Sequence, residues 1–456
     1  MTKVIRLRKG LDIKLSGKAE EVYQPVQEPG LYSLMPDDFT GVTPKVVVKE
    51  GFHVLAGEPL FVDKNNADLH FTSPVSGVVK AVERGAKRRV LNIVVEADGQ
   101  QAYKDYGRHD ALTMSGDEVK ALLMESGLMA FVRQRPYDVV ADPKQTPKAI
   151  FVSAFDSAPL APRFEFVLKG EEAAFQAGLD ALSRMAPTHL GISTKQTARA
   201  LTAAAHVDIT AFEGRHPAGN VGVQINHVSP IAKGEIVWTI GAEAVIFIGR
   251  LLQTGHVNLT RSVAVTGSEV NYPTYYKLKV GAQLTHVFKG QVADDKDLRY
   301  ISGNVLTGKQ VSADGYLHAF DTQLTVIPEG DETHEMIGWI MPRFNQYSVS
   351  RSYPAAWLAP LYRLFGGGEY KFDARIKGGE RHMIMSGEYE RVLPMDIYPE
   401  QLLKAIIAGD IDRMEALGIY EVAPEDFALC EFVCSSKVEL QRIVRQGLDM
   451  LRAEMA

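Results

Sequence analysis

The chain has 456 residues and a formal net charge of −6, and its 46% hydrophobic and 23% charged residues are typical of a globular protein. At about 150 residues per domain, this length predicts roughly three domains. The acidic balance gives no reason to expect nucleic-acid binding, which usually shows as a basic patch. The basic start, MTKVIRLRKG, lacks the apolar core of a signal peptide. No run of about 18 apolar residues predicts a membrane span.

After an N-terminal segment, residues 1–41, residues 42–99 indicate a small all-β unit. Short β-branched runs alternate there with turn residues. This segment resembles the biotinyl and lipoyl carrier domains, which are barrel-sandwich hybrids. The resemblance rests on the order V-x-x-G-x-x-V-x-x-G, then DK, then SPVSGVV. Lys64 falls where those domains hold their modified lysine. A lipoyl or biotin carrier modified at Lys64 is therefore one hypothesis, and an unmodified module with an ordinary surface lysine is the other.

Residues 100–256 change character, because short apolar runs alternate with helical patterns. Strands that alternate with helices imply a parallel sheet with crossover helices, as in Rossmann-like domains. The periodicity predicts helices over 171–185 and 196–205 and a long buried helix over 235–255. The predicted strands are the runs at 149–156, 189–194 and 207–212.

A glycine-rich loop, EGRHPAGNVGVQINHVSP, occupies residues 213–230 directly after the third predicted strand. Its glycines, Gly219 among them, let the backbone turn sharply or approach a ligand closely. Arg215 and His216 supply hydrogen-bond donors. Open α/β sheets usually bind ligands at the carboxyl ends of their strands, so these three residues form a candidate ligand loop. The alternative is a tight surface loop whose arginine and histidine are solvated.

Five separated motifs, in order along the chain, resemble the A subunit of the Na⁺-translocating NADH:quinone oxidoreductases, Na⁺-NQR. The resemblance covers nearly the whole chain and rests on IRLRKGLDIKLSG, FEGRHPAGNVGVQINHVSP, GSEVNYPTYYKLKVGAQL, RYISGNVLTGK and ALCEFVCSSK. It implies a peripheral protein on the cytoplasmic face of the bacterial inner membrane, which docks on the other Na⁺-NQR subunits and above all on the membrane-embedded B subunit. The respiratory complex oxidises NADH, reduces quinone and exports Na⁺.

The resemblance also implies what this chain lacks. In the family, FAD, FMN, riboflavin and the iron–sulfur centre belong to partner subunits, so no cofactor, metal site or complete active site is expected here. The contribution expected of this chain is to quinone access, and the candidate residues for it are Arg215, His216 and Gly219. The alternatives to this function are an autonomous flavin- or NAD-dependent oxidoreductase and the carrier protein modified at Lys64.

By the same resemblance, residues 100–256 are similar to a domain of the flavin-binding subunit of respiratory complex I and of the Rnf C subunit. Those relatives bind FMN and NADH through glycine-rich loops. The corresponding loop here, SAPLAPRFEF, has no glycine, and its prolines lack the N–H groups that a phosphate cradle needs. Flavin binding is therefore expected to be lost. Residues 257–330 resemble the SLBB β-grasp domain.

The rest of the chain divides into a connecting region, 331–393, and a C-terminal helical domain, 394–456. The apolar stretch 352–370 predicts a short helix that either packs in a core or docks on a partner or membrane. Cys430 and Cys434 are the only cysteines. Since an iron–sulfur cluster normally needs four protein ligands, they are either a remnant or two buried core thiols.

Overall fold

The structure is a computed structural model, and it describes residues 2–293, 296–331, 346–349, 357–358 and 368–455. Within these ranges the strands form four sheets, of seven, five, four and three strands. Most of the apolar stretch predicted over 352–370 lies outside the described residues. No helix in the described part of the chain is long and apolar enough to cross a bilayer.

The first module is the expected all-β unit, built of two small antiparallel sheets. The strand that precedes it, β1 (Lys3–Arg6), joins the large α/β sheet instead. The strands of the module are β2 (Leu31–Leu34), β3 (Pro44–Val46), β4 (His53–Val54), β5 (Pro59–Asp63), β6 (His70–Thr72), β7 (Gly77–Arg84) and β8 (Val90–Ala97). One sheet has the order β2-β8-β7-β4 and the other β3-β5-β6. Leu60, Phe61, Phe71 and Ile93 fill the space between them and are almost fully buried.

The second domain is a seven-stranded, mainly parallel sheet with helices. Its elements are α1 (Gly116–Glu125), β9 (Val132–Arg135), β10 (Val139–Val140), β11 (Ala149–Ser153), α2 (Phe164–Val167), α3 (Glu172–Met185), β12 (Thr188–Ser193), α4 (Arg199–Thr202), β13 (Asp208–Glu213), α5 (Val221–Val228), β14 (Val237–Gly241) and α6 (Ala242–Thr254). The strand order is β1-β13-β12-β11-β14-β9-β10. From β11 the chain adds β12 and β13 on one side, and it then returns to place β14 on the other. This reversal is a topological switch point, where α/β sheets bind ligands.

The prediction of a helix over 235–255 is wrong in its first part, because β14 occupies Val237–Gly241. That strand lies between β11 and β9 and pairs with both. A strand buried on both faces shows a continuous apolar run, which periodicity alone cannot distinguish from a buried helix. The helix itself is α6, and it ends at Gly255, as predicted, in a left-handed conformation with φ 81°. The helix predicted over 196–205 is only the four-residue α4.

The third domain is a five-stranded mixed sheet. Its elements are β15 (Thr260–Thr266), β16 (Thr274–Lys279), α7 (Thr285–Phe288), β17 (Leu298–Ser302), β18 (Lys309–Val311) and β19 (Gln323–Pro328). The order is β16-β15-β19-β17-β18, and β15 and β19 run parallel. The return to β structure predicted for this part of the chain is confirmed.

The C-terminal helices pack against the α/β sheet. They are α8 (Pro399–Ala408), α9 (Ile411–Ala416), α10 (Ala428–Val433) and α11 (Leu440–Glu454). Their apolar residues share one buried cluster with Phe151 of β11 and with Val223 and Ile225 of α5. Short 3₁₀ helices complete the chain at Pro36–Asp38, Ala86–Arg88, Ala111–Thr113, Leu128–Phe131, Tyr389–Arg391, Ile419–Glu421 and Pro424–Phe427.

Candidate functional site at the switch point of the sheet

A cavity of about 320 Å³ lies at the carboxyl ends of β11 and β14, where the strand order reverses. It lies against the amino end of α6, and the third domain and the C-terminal region also contribute to its walls. Its charged residues are Arg133, Arg135, Asp138, Asp156, Glu243, Arg261 and Glu425, and its aromatic residues are Phe131, Phe155, Phe164 and Phe320. The cavity adjoins a wider groove of about 890 Å³, with which it shares Phe155, Asp156 and Phe164.

The ligand loop predicted from the sequence meets this cavity through two of its three candidate residues. His216 and Gly219 line the cavity, whereas Arg215 is exposed and lies outside the lining. His216 is buried, and its Nδ1 lies 3.1 Å from Ser157 Oγ. Its Nε2 is also buried and has no hydrogen-bond partner among the described residues. Burial lowers the pKa of His216, although Asp156 and Asp12 oppose that shift.

Ser157 fastens the ligand loop to the loop that follows β11. The Gly219 N–H donates to Ser157 Oγ at 2.8 Å, in addition to the contact with His216. A Cβ on Gly219 would lie 2.7 Å from the Ser157 backbone nitrogen, so the two loops approach too closely for any side chain there. The His216 N–H donates to Asp12 Oδ1 at 3.0 Å, which ties the same loop to the N-terminal segment.

A buried ion cluster joins β9 to the C-terminal region beside the cavity. Arg135 Nη1 contacts Asp426 Oδ2 at 2.7 Å and the Glu421 carbonyl at 2.6 Å. Arg135 Nη2 contacts Glu425 Oε1 at 3.0 Å. Residues 221–228 of the segment predicted as a loop form α5 instead, and Gly222 at the start of this helix leaves room for the cluster. A Cβ there would lie 2.4 Å from both Arg135 Nη1 and Asp426 Oδ2, so the start of α5 fits closely against the C-terminal region.

A second buried pair connects α6 to the third domain. Glu243 Oε2 and Arg261 Nε are 3.7 Å apart, and neither atom has a hydrogen-bond partner among the described residues. Glu243 Oε1 accepts from the Ser262 N–H at 3.2 Å, and Arg261 Nη1 donates to the Asp321 carbonyl at 3.0 Å. Burial raises the pKa of Glu243, while Arg261 opposes that shift. The pair thus bridges two domains at the wall of the cavity.

Sequence reasoning missed Arg135, Glu243, Arg261 and Glu425. Glu243 lies inside the segment predicted as a buried helix, and a carboxylate in such a segment is rarely buried without a partner. An acidic residue in a segment predicted to be buried was therefore a signal that could have identified Glu243. Arg135 and Glu425 carry no local signal, because their contact joins residues 290 positions apart.

Two backbone donors of the loop after β11 already have side-chain partners. The Ala158 N–H donates to Asp156 Oδ1 at 2.7 Å, and the Arg163 N–H donates to Tyr275 Oη at 2.9 Å. Pro159 and Pro162 have no N–H. These four positions therefore offer no free N–H group to a phosphate.

The other residues singled out from the sequence lie away from the cavity. Lys64 is exposed in the connection between β5 and β6. Cys430 and Cys434 are buried free thiols, and Cys434 Sγ lies 2.9 Å from Tyr389 Oη. Burial raises the pKa of Cys430 well above its ordinary value. Within the described ranges, no group of three or more His, Cys, Asp or Glu side chains could hold a metal ion.

Three family models match the chain in order. They are the NqrA N-terminal barrel-sandwich hybrid domain over residues 5–98, the NqrA second alpha/beta domain over 114–257 and the NQRA C-terminal domain, an SLBB model, over 262–313. These matches agree with the three folded units described above. The barrel-sandwich, α/β and SLBB assignments made from the sequence are confirmed.

Curated relatives match over the full length. The chain is 35% identical over 456 residues to the A subunit of the Na⁺-translocating NADH-quinone reductase of Yersinia pseudotuberculosis serotype I, covering 99% of this chain and 100% of that protein. It is 36% identical to the protein of that name from Neisseria meningitidis serogroup A and 35% identical to that from Pasteurella multocida, with the same coverage in each case. The chain therefore belongs to the NqrA family, the A subunits of the Na⁺-translocating NADH-quinone reductases.

Proposed function

We propose that this chain is the peripheral subunit, on the cytoplasmic face of the bacterial inner membrane, of a complex that oxidises NADH, reduces quinone and exports Na⁺. It docks on the other subunits, and above all on the membrane-embedded B subunit. The support is membership of the NqrA family over the full length, since the relatives are named as the A subunit of a Na⁺-translocating NADH-quinone reductase.

The proposal includes a place where the quinone ring contacts this chain, namely the cavity at the switch point. The observation that carries it is that His216 and Gly219, predicted as ligand residues from the sequence, both line this cavity. Aromatic walls with a few polar groups are typical of small-molecule sites. Arg215, exposed on the same loop, lies at the outside of the proposed site.

The charges of the cavity favour an uncharged ring over an anion. Arg133 contacts Asp138 at 3.1 Å, Arg261 faces Glu243, and Arg135 faces both Asp426 and Glu425. Each cation among the described residues of the lining thus already has a carboxylate partner, which leaves little positive charge for a phosphate. The amino end of α6 adds a weak preference for a hydrogen-bond acceptor such as a quinone carbonyl.

We also propose that the chain itself carries neither flavin nor iron, and that the redox cofactors belong to partner subunits. The loop after β11 supports the flavin part, because the N–H groups of Ala158 and Arg163 already have partners and its two prolines have no N–H. The thiol count supports the iron part, because Cys430 and Cys434 are the only cysteines in the chain. A visible spectrum and metal analysis of anaerobically purified protein test this: stoichiometric flavin or iron would revive the autonomous oxidoreductase.

The quinone site is tested by titrating ubiquinone-1 into the purified full-length chain and its His216→Gln variant. Because His216 lines the cavity, we expect the variant to bind about tenfold more weakly, the loss of roughly one hydrogen bond of about 1.4 kcal/mol. His227→Gln is the matched control, since His227 lies on α5 in the same motif but outside the lining, where its Nδ1 lies 2.9 Å from the Val223 carbonyl oxygen. Equal binding by wild type and both variants would remove His216 from the site.

A further inference from the structure

On one side of the cavity, a single guanidinium faces two carboxylates. Asp426 is fully enclosed, and its Oδ2 accepts from Arg135 Nη1 at 2.7 Å and from the Ala423 N–H at 2.9 Å. Asp426 is thus the more closely bound of the two carboxylates, although its Oδ1 is buried and has no hydrogen-bond partner among the described residues.

Glu425 is the second carboxylate, and its surroundings differ. Its side chain lines the cavity and is 41% accessible, and its contact with Arg135 is made by Oε1 alone, at 3.0 Å. Within the described ranges, the hydrogen bond of the Glu425 side chain is this contact of Oε1 with Arg135, and Oε2 makes none. One arginine cannot fully neutralise two carboxylates, and Glu425 is the one that has the longer contact with Arg135 and faces the cavity.

The charges around Glu425 agree with this division. Desolvation in the cavity wall, where part of the side chain stays accessible, contributes most to raising the pKa of Glu425 to about 7, and the neighbouring Asp426 raises it further, while Arg135 opposes both. Two further charges face the group and have weaker effects on its pKa. Arg133 on β9 lowers the pKa, and Asp138 in the turn after β9 raises it. The proton on Glu425 is therefore exchanged in the neutral range of pH.

We propose that Glu425 presents a proton-exchanging carboxyl oxygen to the cavity and there hydrogen-bonds a ring oxygen of an uncharged ligand. The proposal rests on the proposed function, in which that ligand is a quinone. When protonated, the Oε2 hydroxyl donates to a ring carbonyl. When ionised, the carboxylate accepts from a ring hydroxyl. Glu425 thus distinguishes the oxidised from the reduced ring by its own protonation state.

The sign of the pH dependence follows from this chemistry. A quinone carbonyl needs the protonated form of Glu425, which predominates below about pH 7. As the pH rises above that value, the donor is lost, so we expect quinone affinity to fall by up to about tenfold per pH unit. The Glu425→Gln variant keeps a donor in the same place but cannot ionise. Its affinity should remain near the low-pH value of the wild type at every pH.

The experiment titrates ubiquinone-1 into the purified full-length chain from about pH 6 to about pH 8.5, the range across which such a group changes its charge. The variants are Glu425→Gln and the matched control Glu421→Gln, whose carboxyl group contacts Asn226 Nδ2 at 2.8 Å and does not line the cavity. We expect wild type and Glu421→Gln to share one pH dependence and Glu425→Gln to show none. A wild-type affinity that does not change with pH, or a Glu425→Gln variant that keeps the wild-type dependence, overturns the proposal.

A second measurement separates this proposal from the proposed function. Infrared difference spectra of the ligand-free chain follow the carbonyl stretch of protonated carboxyl groups as the pH is raised. If wild type binds no quinone at any pH, the quinone site fails and the infrared titration decides the proton exchange alone. A band that titrates near neutrality and is absent from Glu425→Gln supports the proton-exchanging group. The same spectra in wild type and variant overturn it.

Discussion

Ser157 helps to position the ligand loop. Its hydroxyl contacts both His216 Nδ1 and the Gly219 N–H, so one side chain fixes two of the residues that line the cavity. The sequence indicated His216 and Gly219 because they follow an apolar run in a glycine-rich loop. It did not indicate Ser157, Arg135 or Glu425, since their contacts join distant parts of the chain and leave no local pattern.

Replacing Ser157 by alanine tests this role. The Ser157→Ala change leaves the buried Gly219 N–H without its partner, which costs about 1–3 kcal/mol of local stability. We expect faster amide hydrogen exchange over residues 214–220 and weaker ubiquinone-1 binding. Ser183→Ala is the control, because Ser183 Oγ contacts the Asp180 carbonyl at 2.7 Å on α3, away from the cavity. Unchanged exchange over 214–220 would show that Ser157 does not hold the loop.

At the scale of elements, periodicity succeeded where a helix has one buried face and failed where a strand has two. Helix α3 lies at Glu172–Met185, close to the predicted 171–185, because its polar and apolar residues alternate with the helical period. Strand β14 was predicted as helix because four of its five residues are buried, so that residues on both of its faces are apolar or covered. The cavity lies at the end of this strand. The position of the site therefore depends on an element that the local pattern does not distinguish.

The contact between α8 and α11 gives a prediction about packing. A Cβ on Gly447 would lie 2.8 Å from Ile406 Cγ1, so Gly447→Ala overpacks this contact. Overpacking costs about 1–3 kcal/mol, against roughly 1 kcal/mol gained from alanine's helix propensity. We expect hydrogen exchange in α11 to show a net loss of stability. In an Ile406→Ala background the same change should stabilise α11, and a loss of equal size there would contradict the steric explanation.

At the scale of the whole molecule, an aromatic cluster and one buried carboxylate join the domains around the cavity. Phe39 packs edge-to-face on Phe71 at 4.8 Å and on Phe320 at 5.7 Å, and Phe131 lies 5.7 Å from Phe320. The adjacent Asp38 accepts from the Ala319 N–H at 2.8 Å and contacts His318 Nδ1 at 2.5 Å. Phe131 and Phe320 also line the cavity, so the arrangement of the domains determines its shape.

Asp38 gives the prediction that belongs to this scale. Burial alone would raise the pKa of Asp38, but His318, Lys309 and the Ala319 N–H together lower it. A lowered pKa in the folded state stabilises the fold at neutral pH, and this contribution is lost only as the pH falls through that pKa. We expect Asp38→Asn to increase hydrogen exchange over residues 309–319 at pH 7 and to weaken ubiquinone-1 binding.

The control for this prediction is the preceding residue. Asp37→Asn removes a carboxylate that contacts Arg89 at 2.7 Å on the surface, so it should change neither readout. If Asp38→Asn leaves exchange over 309–319 at the wild-type rate, the contact does not hold the third domain in place.

The assembly claim is tested most directly by affinity purification of the tagged chain from gently solubilised membranes of its native host. The partners are identified by mass, and NADH:quinone reductase activity is assayed in the same fraction. We expect the chain to be recovered with the membrane-embedded B subunit and the other subunits, together with Na⁺-dependent activity. Recovery of the chain alone, or only from the soluble fraction and without activity, would contradict its role in the membrane-bound complex.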